Sequence, residues 1–492
     1  MIDISNPDLL YLVISDEREH ATSVEYVTIS YRWETTDVYK LTLGSVDQLI
    51  AGIPYGLLTQ TFQDVIMLTR ALGCKYIWID SLCILQDSVE DWARESNRMA
   101  DVYMHGFLNI CVYSTDIQHG CLQARNPLSW SHCLIARTDD QLLLAGSNDI
   151  LRDLSETSLF ERGWVFQERL LSPRTIYIGD RDCVFECADS VLSERAPYYR
   201  SEHPSEGYDP PVSKMTVQEF AERAKEFPAC DLYPNRIGEL KSIDHHYLWR
   251  SWECIVKHYS KTYLTFGSDR LAALAAIATS LRQSTGYTYS AGTWYELFPM
   301  CLYWYQHHSS SKVKRSPRRE RFPSWSWTSY EFAGTDGVAH LDPLSFNFQD
   351  ARAKVLGWEV NELKGRTAVL GEVESARLRI ATVVIRVISW SLIEQDEKMA
   401  PKFEFEHDNM TSHSVELQEG IEPGLSLSFI SLCYSGNPSD ADYDVNEKGL
   451  LLTPYEDGYI RVGSMWVSLG NEHTGNYKPL WDEKKIREIY LY

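Results

Sequence analysis

Long hydrophobic runs are missing from this chain of 492 residues. No apolar stretch approaches the roughly 18–20 residues that a helix needs to cross a bilayer, so no membrane partner is expected. Positive charge is also scarce. Lys and Arg total 47 against 69 Asp and Glu, giving a formal net charge of −22. Such a surface is a poor general binder of nucleic acid or anionic lipid, although a local arginine cluster can still hold a small anion. A cysteine framework is lacking too. The eleven cysteines are odd in number and scattered, and Cys74, Cys83, Cys111 and Cys301 sit within apolar runs. The opening MIDISNPDLLYLVISDE carries no basic-then-apolar leader. These features predict reduced, buried thiols and a cytoplasmic location. Cys183 and Cys187 in CVFEC form the closest pair, but Val184 and Phe185 between them suit a strand. No second pair completes a zinc site, so no metal is expected.

Several chemical signatures are absent as well. No G-x-x-x-x-G-K-[ST] stretch occurs, which excludes a P-loop nucleotide triphosphatase. No G-x-G-x-x-G follows a strand, which argues against a Rossmann dehydrogenase. Ser81 lacks the G-x-S-x-G elbow of a serine hydrolase.

What is present is an ordinary globular composition, with 44% apolar and 24% charged residues, 15 tryptophans and 29 tyrosines. Strand and helix patterns alternate over the first 190 residues. Tyr26–Tyr31 and KYIWID at 75–80 suit strands, as do FLNICVY at 107–113, TIYIG at 175–179 and CVFEC. Between them lie a helix over 61–73, capped by Thr61 with Asp64, and a helix from Ser88 to Tyr103, capped by Ser88 with Asp91. RGWVFQERLL at 162–171 suits a short helix. Such alternation predicts an α/β domain with a mostly parallel sheet flanked by helices, whose ligands sit at the carboxyl ends of the strands. Residues 191–235 are loop-rich, 247–282 are helical, and 293–306 suit an aromatic helix. Lys312–Arg321 is a basic loop, and β-type runs dominate after PSWSW at 323–327. The expected domains are 20–190, a helical and aromatic-rich region over 191–330, and a β-rich region over 331–492.

Three stretches stand out together: YVTISYRW at 26–33, YIWIDSLCILQDSVEDWARESNRMADVY at 76–103, and RGWVFQERLLSPRTIYIG at 162–179. In this order and spacing they resemble the fungal heterokaryon incompatibility (HET) domain. That family reads Y-x-x-L-S-Y-x-W, then W-I-D-x-x-C-I-x-Q-D running into D-W-x-x-E, then R-G-W-x-x-Q-E-R. HET domains are distantly similar to TIR domains, and VTISYRWE is similar to the opening TIR strand. WVFQERL resembles the TIR segment whose glutamate is catalytic where those domains cleave NAD.

The resemblance implies Glu168 as the catalytic residue, with Tyr31, Arg32, Trp33, Asp80, Ser81 and Trp164 binding NAD as substrate. No prosthetic group is implied, and self-association completes the site in similar domains. The chemistry is coherent, because nicotinamide leaves as a neutral molecule and one carboxylate facing the ribose cation suffices. Arginine suits pyrophosphate, and tryptophan faces suit the bases. Two departures stand against the TIR pattern. Some fifty residues separate the third strand from Trp164, and Val165 replaces the usual cysteine. Plainer readings stay open. Glu168 suits a solvated helical residue paired with Arg169 or Arg174, Arg32 a strand-end cation, and the tryptophans core packing. At the level of the whole protein, the resemblance implies allorecognition and programmed cell death. A non-enzymatic interaction module and a tailoring enzyme of a fungal biosynthetic pathway stand as alternatives.

Overall fold

A computed structural model describes residues 1–14, 24–32, 39–113, 120–124, 133–137, 142–145, 157, 159–180, 182–194, 214, 242–264, 267–308, 322–329, 337–340, 352–363, 373–395, 398–406, 411–417, 421–435, 445–469 and 483–492. The basic stretch Lys312–Arg321 lies outside them. The chain divides into two compact units. The first is Met1–Gln218 with Ala272–Ile277, and the second is Glu219–Leu271 with Ala278–Tyr492.

The first unit runs β1 (Ile2–Asp3), β2 (Leu9–Leu12), β3 (Tyr26–Ser30), α1 (Val46–Ala51), β4 (Ile53–Pro54), α2 (Gln60–Ala71), β5 (Tyr76–Trp78), the single turn α3 (Asp80–Cys83), α4 (Val89–His105) and β6 (Leu108–Val112). A hairpin of β7 (Cys133–Arg137) and β8 (Leu142–Ala145) follows, then α5 (Gly163–Leu171), β9 (Arg174–Ile178), β10 (Cys183–Cys187) and β11 (Val191–Ser193). Nine strands form one sheet in the order β11-β10-β9-β6-β3-β5-β1-β2-β4.

The sheet is mixed rather than mostly parallel. Only β5, β3, β6 and β9 run parallel. Short segments at either end of the unit add antiparallel edges, through β1, β2 and β4 on one side and β10 and β11 on the other. The parallel strands nonetheless set the geometry of the site. The chain passes from β3 to its neighbour β5, then crosses back to β6 on the other side of β3. In sheets of this kind such a reversal is where a ligand crevice is expected, here at the carboxyl ends of β3 and β6.

The two faces of the sheet differ. Val27 and Ile29 of β3, with Leu108, Ile110 and Val112 of β6, pack against Phe62, Val65 and Ile66 of α2. Each such side chain contributes about 1.5–3 kcal/mol on burial. The alternate residues point the other way. Thr28, Ser30, Asn109, Thr175 and Glu186 are each no more than 1% exposed. One face is thus an oily core and the other a buried polar seam.

Capping follows the sequence at α4, where Ser88 Oγ accepts from Asp91 N at 3.2 Å. At α2 it does not. Thr59 is the cap, accepting from Phe62 N at 3.4 Å. Asp64 instead holds a neighbouring loop, accepting from the backbone N–H groups of Cys121 at 2.8 Å and Leu122 at 3.1 Å.

Helices α6 (Ser242–Ser260), of the second unit, and α7 (Ala272–Thr285), whose residues Ala272–Ile277 belong to the first, occupy the predicted helical stretch. The aromatic run after them is not a helix. It forms a hairpin of β12 (Tyr289–Ser290) and β13 (Thr293–Trp294), then single 3-10 turns over Tyr295–Leu297 and Met300–Leu302. Pro299 sits in the middle of the run and breaks an α-helix. Trp294, Leu297, Met300 and Leu302 are all buried, so no solvent face exists for a helical pattern to mark. A ladder of β14 (Tyr305–His308) and β15 (Gly337–His340) comes next.

The expected β-rich end is present as β16 (Lys354–Glu362), β17 (Val373–Gln395), β18 (Lys398–Phe405), β19 (Thr411–Leu417), β20 (Ser428–Ser435), β21 (Asn446–Tyr455), β22 (Gly458–Ser468) and β23 (Ile486–Leu491). β17 pairs with β20, β20 with β21 and β21 with β22. β22 then meets β23, and β23 returns to β17, so the ladder closes on itself. Phe429, Leu451, Val462 and Met465 fill its interior.

Gly120 tests the Asp64 clamp. Its φ is +85°, and a Cβ there would lie 2.3 Å from Asp64 Oδ2. Gly120→Ala is expected to destabilise the first unit by about 1–3 kcal/mol, measured as a lower urea midpoint. An unchanged midpoint would mean that the clamp carries no stability.

Candidate functional site

Helix α5, GWVFQERLL, lies over the polar seam. Every residue from Val165 to Leu171 is buried. Helical spacing puts Val165, Glu168, Arg169 and then Ser172 on one side. Val165 packs with Cys111, Tyr177 and Val184 of the sheet. One turn further on, the Glu168 carboxyl therefore reaches the carboxyl end of β3.

Glu168 is 6% exposed and accepts a hydrogen bond from Ser30 Oγ at 2.5 Å. Ser30 is itself oriented from behind. Asn109 Nδ2 donates to Ser30 Oγ at 3.1 Å, and Thr28 Oγ1 donates to Asn109 Oδ1 at 3.1 Å. Thr28, Asn109 and Ser30 thus form a directed chain whose last hydroxyl points at Glu168. The Tyr103 hydroxyl donates to Ile29 O at 3.1 Å and lies close enough to Glu168 to influence its charge.

Charge around Glu168 is balanced unevenly. Burial pushes its pKa up to about 7, the Ser30 hydrogen bond lowers it, and nearby Asp80 raises it further. Arg162 and Tyr103 pull it down. Arg162 immediately precedes α5 and donates from Nη1 to Tyr31 O at 2.8 Å. The Tyr31 hydroxyl donates to Ser81 Oγ at 2.9 Å, and burial, with Asp80 second, raises its pKa well above the usual value. Asp80 Oδ1 accepts from Ser81 N at 2.7 Å. The ends of β3 and β5 and the start of α5 therefore converge, two carboxyls and one guanidinium together.

The far end of α5 is fixed separately. Lys214 is buried and donates from Nζ to Ser172 O at 2.6 Å and to Arg169 O. Its backbone N–H donates to Glu186 Oε1 at 3.0 Å, and the Tyr177 hydroxyl donates to the same carboxylate. Burial lowers the Lys214 pKa to about 8, with Glu186 opposing. A cation on the last carbonyls of a helix complements its dipole.

Among the sequence-derived candidates, the fold gathers Tyr31, Asp80, Ser81 and Glu168. Arg32 is exposed one residue beyond Tyr31. Trp164 is half-buried and packs edge-on against Trp92 at 6.1 Å. Trp33 lies outside the described residues. The solvated pairing of Glu168 with Arg169 or Arg174 is overturned. Glu168 is buried, Arg169 covers the Phe160 ring at 5.2 Å, and Arg174 covers Phe107 at 5.1 Å. Sequence reasoning did not single out Ser30, Tyr103, Asn109 or Arg162. Ser30, Tyr103 and Arg162 sit inside the three motifs, and strand alternation with Thr28 and Ser30 was the available signal for Asn109.

The proton balance of Glu168 gives a stability test. In the fold its pKa is raised from 4.5 to about 7. The folded chain keeps that proton through a pH range where the unfolded chain has lost it. The stability it contributes is full below about 4.5 and is lost as pH rises through about 7. Glu168→Gln removes this penalty and keeps an acceptor for Ser30. At pH 8 the variant should be more stable by up to roughly 3 kcal/mol, with the gain shrinking toward pH 4 in thermal unfolding. An equal gain at both pH values would mean that Glu168 stays ionised.

No curated protein and no solved structure matches the chain. Residues 26–168 match the family model described as Heterokaryon incompatibility protein (HET), which supports a heterokaryon incompatibility domain running from the start of β3 to Glu168.

Proposed function

We propose that the chain is a heterokaryon incompatibility protein of the allorecognition and cell-death type, whose first unit is TIR-like and cleaves NAD at the nicotinamide–ribose bond. The observation that carries this reading is Glu168. It is a buried carboxyl placed at the carboxyl end of a central parallel strand and oriented by the Ser30–Asn109–Thr28 chain.

The bond from ribose C1′ to the nicotinamide nitrogen breaks, and its electron pair leaves with nicotinamide as a neutral molecule. Positive charge develops on the ribose. The Glu168 carboxylate accepts hydrogen bonds from the ribose hydroxyls and faces that charge, and water adds at C1′ with loss of one proton to give ADP-ribose. Arg162, whose charge acts on Glu168, takes the place expected of Arg32, and its fork suits a pyrophosphate oxygen pair. Tyr31, Ser81 and Asp80 are linked by hydrogen bonds beside it. Only ionised Glu168 serves, so a pKa of about 7 makes the rate sensitive to neutral pH.

The test is NAD loss over time with concentrated, purified protein. Loss is expected in the parent, rising with pH through about 7 and level above it. Glu168→Gln is expected to lower the rate at least about a hundredfold while remaining folded by circular dichroism. Loss that survives the substitution would place the chemistry elsewhere. No loss in the parent at any concentration would favour a non-enzymatic interaction module.

A further inference from the structure

A cleft of about 670 Å³ opens in the second unit, in the size range of small-ligand sites. One wall is the end of the β16–β17 hairpin, with Trp358, Val360, Glu362 and Glu374. The other includes Thr288 and Ser290 of the β12 hairpin.

The β16–β17 hairpin sorts its charges by face. Glu359 and Arg377 are cross-strand partners, joined at 2.7 Å. Alternation turns Trp358 and Val360 to the opposite face, and the register slips between Asn361 and Glu362, beside Glu374. The cleft therefore receives two carboxylates, and among the described residues no Lys, Arg or His lines it. Among the described residues, no ion pair engages Glu362 or Glu374.

The walls are held in place. The Trp358 ring packs against Tyr295 at 5.2 Å and edge-on against Phe298 at 5.9 Å. Thr288 is fixed by the Glu296 carboxylate, donating its N–H at 2.9 Å and its hydroxyl at 3.0 Å. β16 also lies at the edge of its sheet. An aromatic face with two carboxylates on one concave wall suits a cation that is planar or apolar around its charge.

We propose that this cleft binds an organic cation, a guanidinium or substituted ammonium, lying on Trp358 with its charge between Glu362 and Glu374. The cation comes either from a free small molecule or from an arginine side chain on an extended peptide lying along the β16 edge. The site stands apart from the NAD reading, since none of its residues belongs to the first unit.

Isothermal titration of the full chain separates the possibilities, with argininamide as one probe and the blocked peptide Ac-Val-Arg-Val-NH2 as the other. Saturable binding is expected with a Kd below about 1 mM. Glu362→Gln with Glu374→Gln should weaken it at least about tenfold, as should Trp358→Ala. Glu90→Gln, which removes an exposed carboxylate in the first unit, should leave it unchanged. The double glutamine variant changes only exposed side chains, so it decides the matter if Trp358→Ala fails to fold. Binding of argininamide points to a free cation, and binding of the peptide alone to a protein partner. No saturation by either probe to about 10 mM overturns the proposal, as does equal weakening by Glu90→Gln. Neither result bears on NAD loss, so the two readings stand or fall separately.

Discussion

The hydrogen bond from Ser30 to Glu168 ties the central parallel strand to the helix above it. A carboxyl in this position must be satisfied, because a buried polar group without a partner costs about 1–3 kcal/mol and a buried charge costs more. The chain meets that demand from the strands themselves. Thr28, Asn109 and Ser30 take positions that ordinary sheet packing would give to Val or Ile. Strand alternation makes the substitution cheap, because Val27, Ile29, Leu108 and Ile110 remain on the opposite face to build the core with α2. The sheet keeps its stability on one side and gives the other side to polar chemistry.

The same constraint explains why α5 is buried so completely. Nothing in GWVFQERLL suggests an interior helix, since Gln167, Glu168 and Arg169 follow one another. Each finds a partner at the site of burial. Gln167 Oε1 accepts from Ala276 N at 3.4 Å, Glu168 meets Ser30, and Arg169 lies over Phe160. A surface helix with these residues tolerates many changes. This one tolerates few, because Gln167 and Glu168 are held by hydrogen bonds in the interior and Arg169 by the Phe160 ring.

The alternating elements of the first unit were legible in the sequence because their periods are clean. TFQDVIMLTRALG repeats at helical spacing, and YVTIS and LNICV are short apolar runs between turns. The mixed character of the sheet was not, because β1, β4 and β11 are two or three residues long and carry no period. The aromatic run at 293–306 misled for a different reason. Rings buried on every side look like any apolar helix, and only Pro299 marks the break. At the site, the motifs contained Tyr31, Asp80, Ser81 and Glu168, which the fold gathers. Asn109 lay outside them, and its role exists only because β6 pairs with β3 in a register that sets it beside Thr28. No one-dimensional pattern encodes that pairing.

The segment matching the heterokaryon incompatibility family ends at Glu168, in the middle of α5. The folding unit cannot end there. The last turn of α5 takes its donors from Ser172, whose hydroxyl reaches Glu168 O at 2.8 Å, and from Lys214. Lys214 is anchored on Glu186, and Glu186 on Tyr177, so β9 and β10 are part of the same support. A chain cut at the end of the matched segment would hold the residues of the site and lack what fixes the helix that presents them. Misplacement of a reacting group by about 1 Å costs on the order of a hundredfold in rate. Ser172, β9, β10 and Lys214 therefore belong to the candidate site in the physical sense, because they hold the helix that presents Glu168.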